Sequence, residues 1–144
     1  MSHVSLNTLI ESTFATAWGS TTPIGYENVP FTPPAGSSWV KIYLREGNSE
    51  KITLGAGPQR RRTLGTIFID IFTAVGQGSK GVRTLADSVK TTFRDLRVSG
   101  LQCYEGDLMV YGEKYFTNSG TGVPATAQLY QASVAIPFKY DEVL

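Results

Sequence analysis

One histidine and one cysteine occur among the 144 residues, and those two counts remove most ordinary side-chain catalysis. His3 lies in an N-terminal segment expected to fray, so the commonest general base is missing from the interior. A single imidazole cannot hold zinc by itself. Cys103 has no second cysteine to bridge and no histidine to take its proton, and its place in an alternating strand predicts a small buried apolar side chain. The acids scatter as well. Glu105 and Asp107 straddle Gly106, with Glu113 beyond them, which reads as a solvated hairpin rim better than as a glycosidase pair across a pocket. The phrase LGAGPQRRR sets backbone amides beside three arginines, an arrangement that suits anions. It lacks the Lys-Ser/Thr ending of a phosphate-binding loop and the dinucleotide fingerprint, and GQGSKG fails in the same way. No catalytic residue, metal ligand or cofactor site is expected.

Three features are left to act by contact. The first is Arg60, Arg61 and Arg62, the one basic run in a chain whose 13 basic and 12 acidic residues leave a charge of +1. That balance argues against a general grip on nucleic acid, and the run is read as part of an exposed loop. The second is the aromatic set, including Trp39, Tyr43, Tyr104, Tyr111, Tyr115, Phe116, Tyr130 and Tyr140. Some fill a core. A row of them on an uncovered sheet face would make a protein interface or stack nucleic-acid bases, and near-neutral charge favours protein. The third is Asp70, set between Phe68 and Phe72 among isoleucines. Buried, it would need a partner such as Arg61 or Arg62 of a neighbouring subunit; the preferred reading puts it at the solvated lower end of a strand.

The elements that must position these residues follow from periodicity. Leu6, Leu9, Ile10, Phe14 and Ala17 or Trp18 mark a helix over 5–18. Pro23, Pro30, Pro33 and Pro34 keep 20–37 irregular. Val40, Ile42 and Leu44 alternate with Trp39, Lys41 and Tyr43, a strand ended by a turn at Glu46–Asn48. A short strand at 50–54 is its expected hairpin partner. Ile67, Ile69 and Ile71 face one way and Phe68 and Phe72 the other, which predicts a central strand covered by helices on one face and meeting further protein on the second. Val82, Leu85, Ala86, Val89, Phe93 and Leu96 form a helical stripe over 79–96. A strand from Leu101 is expected to form a hairpin around Gly106 with 107–116. The last strand carries Tyr130, Ala132, Val134, Ile136 and Phe138, with Pro137 at an edge or near its end.

The sum is one domain, 1–144, of α+β class: a mixed, mostly antiparallel sheet with two helices packed on one face. Mobile loops are expected near 20–37, 55–62 and 117–125. No apolar run reaches membrane-crossing length, the N-terminus lacks the order of a signal peptide, and a soluble protein of a reducing compartment is expected.

The ordered pattern resembles a family, the tail terminator-like and minor tail proteins of long-tailed bacteriophages and prophages. The resemblance is carried by the helix ending FATAWG, the proline-rich YENVPFTPP, the WVKIYL strand, the LGAGPQRRR turn, the GTIFIDIFTAVGQG strand and the helix from Gly81 to Arg97. It spans nearly the whole chain and contains no catalytic signature. It implies a structural virion protein that caps the tail tube as a ring, usually of six subunits, ends tube polymerisation and joins the head connector or completion protein. The implied place is the head-proximal end of the virion tail, after assembly in the host cytoplasm. Arg60, Arg61 and Arg62 would then contact a subunit, the tube or DNA passing through the channel, and Trp39, Tyr43 and Phe68 would supply the apolar contact. A head-completion or tail-tube protein is the related alternative, and a small dimeric binding module the unrelated one.

Overall fold

A computed structural model describes residues 2–19, 21–27, 29–31, 38–52, 59–74, 80–115 and 128–143. Helix α1, Ser2–Trp18, buries Leu6, Ile10, Phe14 and Trp18, a strict four-residue step that stacks side chains along one stripe. Gly19 ends it at φ 59°, with its N–H donated to the Ala15 carbonyl at 3.0 Å, a left-handed cap that glycine takes without strain. Helix α2, Lys80–Phe93, buries Val82, Ala86, Val89 and Phe93. Phe14 stacks on Trp18 at 5.2 Å and on Phe93 at 5.7 Å between ring centres, so one side chain ties the two helices together.

The strands are β1 (Ile24–Gly25), β2 (Trp39–Lys51), β3 (Arg60–Ala74), β4 (Arg97–Val98), β5 (Leu101–Cys103), β6 (Asp107–Tyr115) and β7 (Gln128–Val143). They form one sheet in the order β1-β2-β3-β7-β5-β4, with β6 also paired to β7. Among the described residues, only β1 and β2 run parallel, and every other strand pair is antiparallel. Both helices bury their stripes in one cluster with Val40, Ile42, Ile67, Ile69, Ile71, Ala132, Val134 and Ile136. The expected α+β sheet with two helices on one face is the fold.

Three local expectations give way to the sheet. The turn expected at Glu46–Asn48 is a bulge inside a continuous strand: the register steps from Glu46↔Gly65 to Ser49↔Thr63, so two residues of β2 stand opposite one of β3. The partner of β2 is β3, not a strand at 50–54. Likewise β5 and β6 do not form a hairpin with each other. Both pair with β7, from Cys103↔Phe138 to Asp107↔Ala135, so they act as a single strand with one extra residue at the junction. Pro137 therefore lies inside a central strand. Its carbonyl accepts the Tyr104 N–H at 2.9 Å, so the missing donor on the same side of the strand faces that junction, where a ladder bond is already interrupted.

Of the loops expected near 20–37, 55–62 and 117–125, residues 20, 28, 32–37, 55–58 and 117–125 lie outside the described residues. Ile24–Gly25 forms β1, and Arg60–Arg62 belongs to β3 and not to a loop. The two-residue connection from β4 to β5 places Ser99 at φ 48° and Gly100 at φ 89°, the paired left-handed conformations of a type I′ turn.

Candidate interaction surface

Strand alternation turns Trp39, Lys41 and Tyr43 of β2, with Phe68, Asp70 and Phe72 of β3, away from the helices. Register aligns them in cross-strand rows: Trp39, Phe72 and Gln131; Lys41, Asp70 and Ser133; Tyr43, Phe68 and Ala135. β6 extends these rows with Met109 beside Ser133 and Asp107 beside Ala135. The first row is interior. Trp39 stacks on Phe72 at 4.1 Å and meets Phe31 at 5.3 Å, and Trp39 and Phe72 are 6% and 5% exposed. Trp39 thus lies covered at one end of this face. Tyr43 and Phe68, stacked at 5.2 Å, are half-buried and form the apolar centre of the face.

Asp70 sits in the middle row, half-buried, and not at the solvated end of its strand. Burial pushes its carboxyl above the ordinary aspartate value, against the opposing pull of a hydrogen bond with Ser133 and the charge of Lys41. Burial also raises the neighbouring Tyr43 hydroxyl, followed by the repulsion of Asp70. A carboxyl raised on folding costs stability once the unfolded chain ionises: the loss sets in as pH rises from the unfolded to the folded pKa and persists above it. Asp70→Asn is therefore expected to raise the free energy of unfolding at pH 7, read from urea titration, by at most about 1 kcal/mol because water screens a half-exposed charge. The gain should vanish in a titration taken below the unfolded aspartate pKa.

The three arginines do not make one patch. Adjacent strand residues point to opposite faces, so Arg60 and Arg62 share the Asp70 face and Arg61 takes the other. Arg62 is committed within the fold: Nε donates to Asp141 Oδ1 at 2.8 Å and Nη2 to Oδ2 at 3.0 Å, a bidentate pair. That bond holds the Asp141 carboxyl below its ordinary value. Arg60 and Arg61 are exposed. Sequence reasoning missed Met109, 51% exposed, and Leu64, 46% exposed; no local pattern sets either apart as a surface residue.

Nothing in the described part assembles catalytic chemistry. Cys103 is 1% exposed, and burial pushes its thiol up to about 12. Among the described residues, no group of three or more His, Cys, Asp or Glu side chains is placed to hold a metal. The depression between α1 and α2 is open and lined mainly by short hydroxyl side chains such as Thr21, Thr84, Ser88 and Thr92. No described helix is long and apolar enough to cross a membrane.

The family model for the phage tail terminator protein matches residues 5–138. The chain belongs to the phage tail terminator family. The match runs from α1 to Phe138 in β7, so it takes in both helices and the rows of the uncovered face. Membership makes the chain a structural component of a phage tail, one that works by contact with other tail proteins. No curated protein matches the sequence. A solved structure of a protein without a descriptive name has the same fold, with a TM-score of 0.59 at 17% identity, covering 92% of this chain and 94% of that one.

Proposed function

We propose that this terminator-family protein closes the head-proximal end of a tail tube as a ring of about six copies, ending tube polymerisation and forming the joint to the head connector. The carrying observation is the family match across 134 of the 144 residues, 5–138, on a fold without assembled catalytic groups among its described residues. The mechanism is geometric. A heterologous contact, repeated head to tail, closes when its rotation divides a full turn, and the two rims of the ring then present different surfaces. One rim meets the tail tube protein. The other lacks the surface that recruits a further tube ring and meets the connector instead. Tyr43 and Phe68 supply apolar contact on the uncovered face, while Arg60 and Arg61 supply the electrostatic contact with a neighbouring copy, the tube or DNA passing through the channel.

Sedimentation velocity of the Arg60→Glu, Arg61→Glu variant, alone and with tail tube protein, tests the electrostatic part. Arg62 is left in place because it holds Asp141. Reversal is expected to lower self-association or tube binding at least tenfold and to reduce its salt dependence. Unchanged association at low and high salt would remove these arginines from the contact.

A further inference from the structure

Asp70 is an acid at a place where the isolated fold gains nothing from one. In the row Gly25, Lys41, Asp70, Ser133 and Met109 it is the central residue, and along β3 it stands between Phe68 and Phe72. Among the described residues, no lysine or arginine forms an ion pair with it. It accepts a hydrogen bond from the neutral Ser133 hydroxyl, and the exposed Lys41 acts on it only as a neighbouring charge. A carboxylate half removed from water is short of a counter-charge. Beside it Tyr43 and Phe68 stack at 5.2 Å with 14° between their planes. Tyr111 of β6, 47% exposed, is near enough to act on the Tyr43 hydroxyl. Asp107, exposed in the Phe68 row, adds a second carboxylate at the rim.

We propose that Asp70, Tyr43 and Phe68 form a socket for an arginine side chain of the tail tube protein; this rests on the reading that Tyr43 and Phe68 belong to a contact surface. A guanidinium is flat and weakly hydrated, so it lies against an aromatic ring while its edge donates to a carboxylate. The socket offers both: the stacked rings and, two residues along β3, the Asp70 carboxylate. An arriving cation supplies the charge that Asp70 lacks. Stability surrendered at one surface position in the free chain is the mark of a contact made later. The arginine comes from a different protein. Arg45, Arg60 and Arg62 stand on the same sheet face as Asp70 by register and alternation. A ring step of about 60° turns like faces of neighbouring copies by no more than that angle, so these faces do not oppose one another. Lys41 competes for the same carboxylate, but its ammonium has no planar face to lay on the rings.

Heteronuclear NMR of the full chain, titrated with N-acetylarginine amide, N-acetyllysine amide or a short DNA duplex, reads the socket directly. Arginine is expected to shift the amides of Tyr43, Phe68 and Asp70 saturably, and lysine to do so more weakly. Asp70→Asn should abolish the response in a protein that is folded and more stable, while Lys41→Gln should tighten it by removing the competitor. An equal response to arginine in wild type and Asp70→Asn overturns the inference. So does a response to DNA alone, or one lost in Lys41→Gln, because the face would then serve an anion. Sedimentation velocity with tail tube protein reads the partner, with circular dichroism as the check on folding. Asp70→Asn and Phe68→Ala are each expected to weaken tube binding at least tenfold. Weakening by Phe68→Ala alone overturns the socket and leaves the contact surface standing. Self-association lost in Asp70→Asn with tube binding intact overturns it in favour of a second copy as the occupant. Tube binding unchanged in both variants, or absent in wild type, overturns the socket and the contact surface together.

Discussion

Phe14→Ala is expected to lower the free energy of unfolding by about 3–5 kcal/mol, the usual cost of emptying a buried phenylalanine site. The upper part of that range applies, because Phe14 is fully buried and its ring bridges Trp18 and Phe93. α1 meets the core through its buried stripe of Leu6, Ile10, Phe14 and Trp18, so its attachment depends on that stripe, and a helix of this length is marginal alone. Urea unfolding measures the change, and far-ultraviolet circular dichroism should show helix lost ahead of strand. A loss below about 1 kcal/mol would mean that α1 is held some other way.

Gly65→Ala is expected to cost about 3 kcal/mol, at the high end for overpacking. A methyl group there would lie 2.5 Å from the Arg45 carbonyl oxygen and 2.7 Å from Phe138 Cζ. Phe138 is 2% exposed, so its ring has nowhere to move, and the Arg45 carbonyl is fixed in the β2–β3 ladder. Gly81→Ala is the matched control. Nothing lies within 4 Å of its added carbon, and the helical position should gain a few tenths of a kcal/mol up to about 1 kcal/mol. Opposite signs in one denaturation series would confirm the close approach at Gly65; equal small effects would refute it.

The helices were legible because their stripes are uninterrupted: Leu6 to Trp18 and Val82 to Phe93 keep their period and are buried. The triple isoleucine alternation likewise identified β3 as central, with helices on one face and further protein expected on the other; on that second face Phe72 is indeed covered, by Trp39, while Phe68 and Asp70 are half-buried. Misreadings came where one local signal serves two structures. Glu46-Gly47-Asn48 has turn chemistry, yet the long β2–β3 ladder absorbs it as a bulge, because pairing on both sides of it outweighs a local turn preference. Gly106 suggested a hairpin in the same way; instead it fits against Ile136 and Val134, where an added carbon would lie 3.0 and 3.2 Å from their side chains. Pro137 demanded a lost ladder bond, and only the register shows that the loss falls at the β5–β6 junction.

The candidate surface was legible in composition and not in arrangement. Tyr43 and Phe68 were chosen for their type, and they stack on the open face. Trp39 was chosen for the same reason, and its row is closed over by Phe31. The arginine run looked like one patch because sequence adjacency suggests proximity, but strand alternation divides it and Asp141 occupies Arg62. Asp141 lies 79 positions from Arg62, a pairing that no local pattern contains.

Ring closure is the central claim, and the mass of the assembled species tests it most directly. Sedimentation velocity of the full chain across a concentration series, repeated with tail tube protein, is expected to show a closed species of about six copies that does not grow further as concentration rises. Discrete dimers at every concentration, with no larger species on the tube, would contradict it.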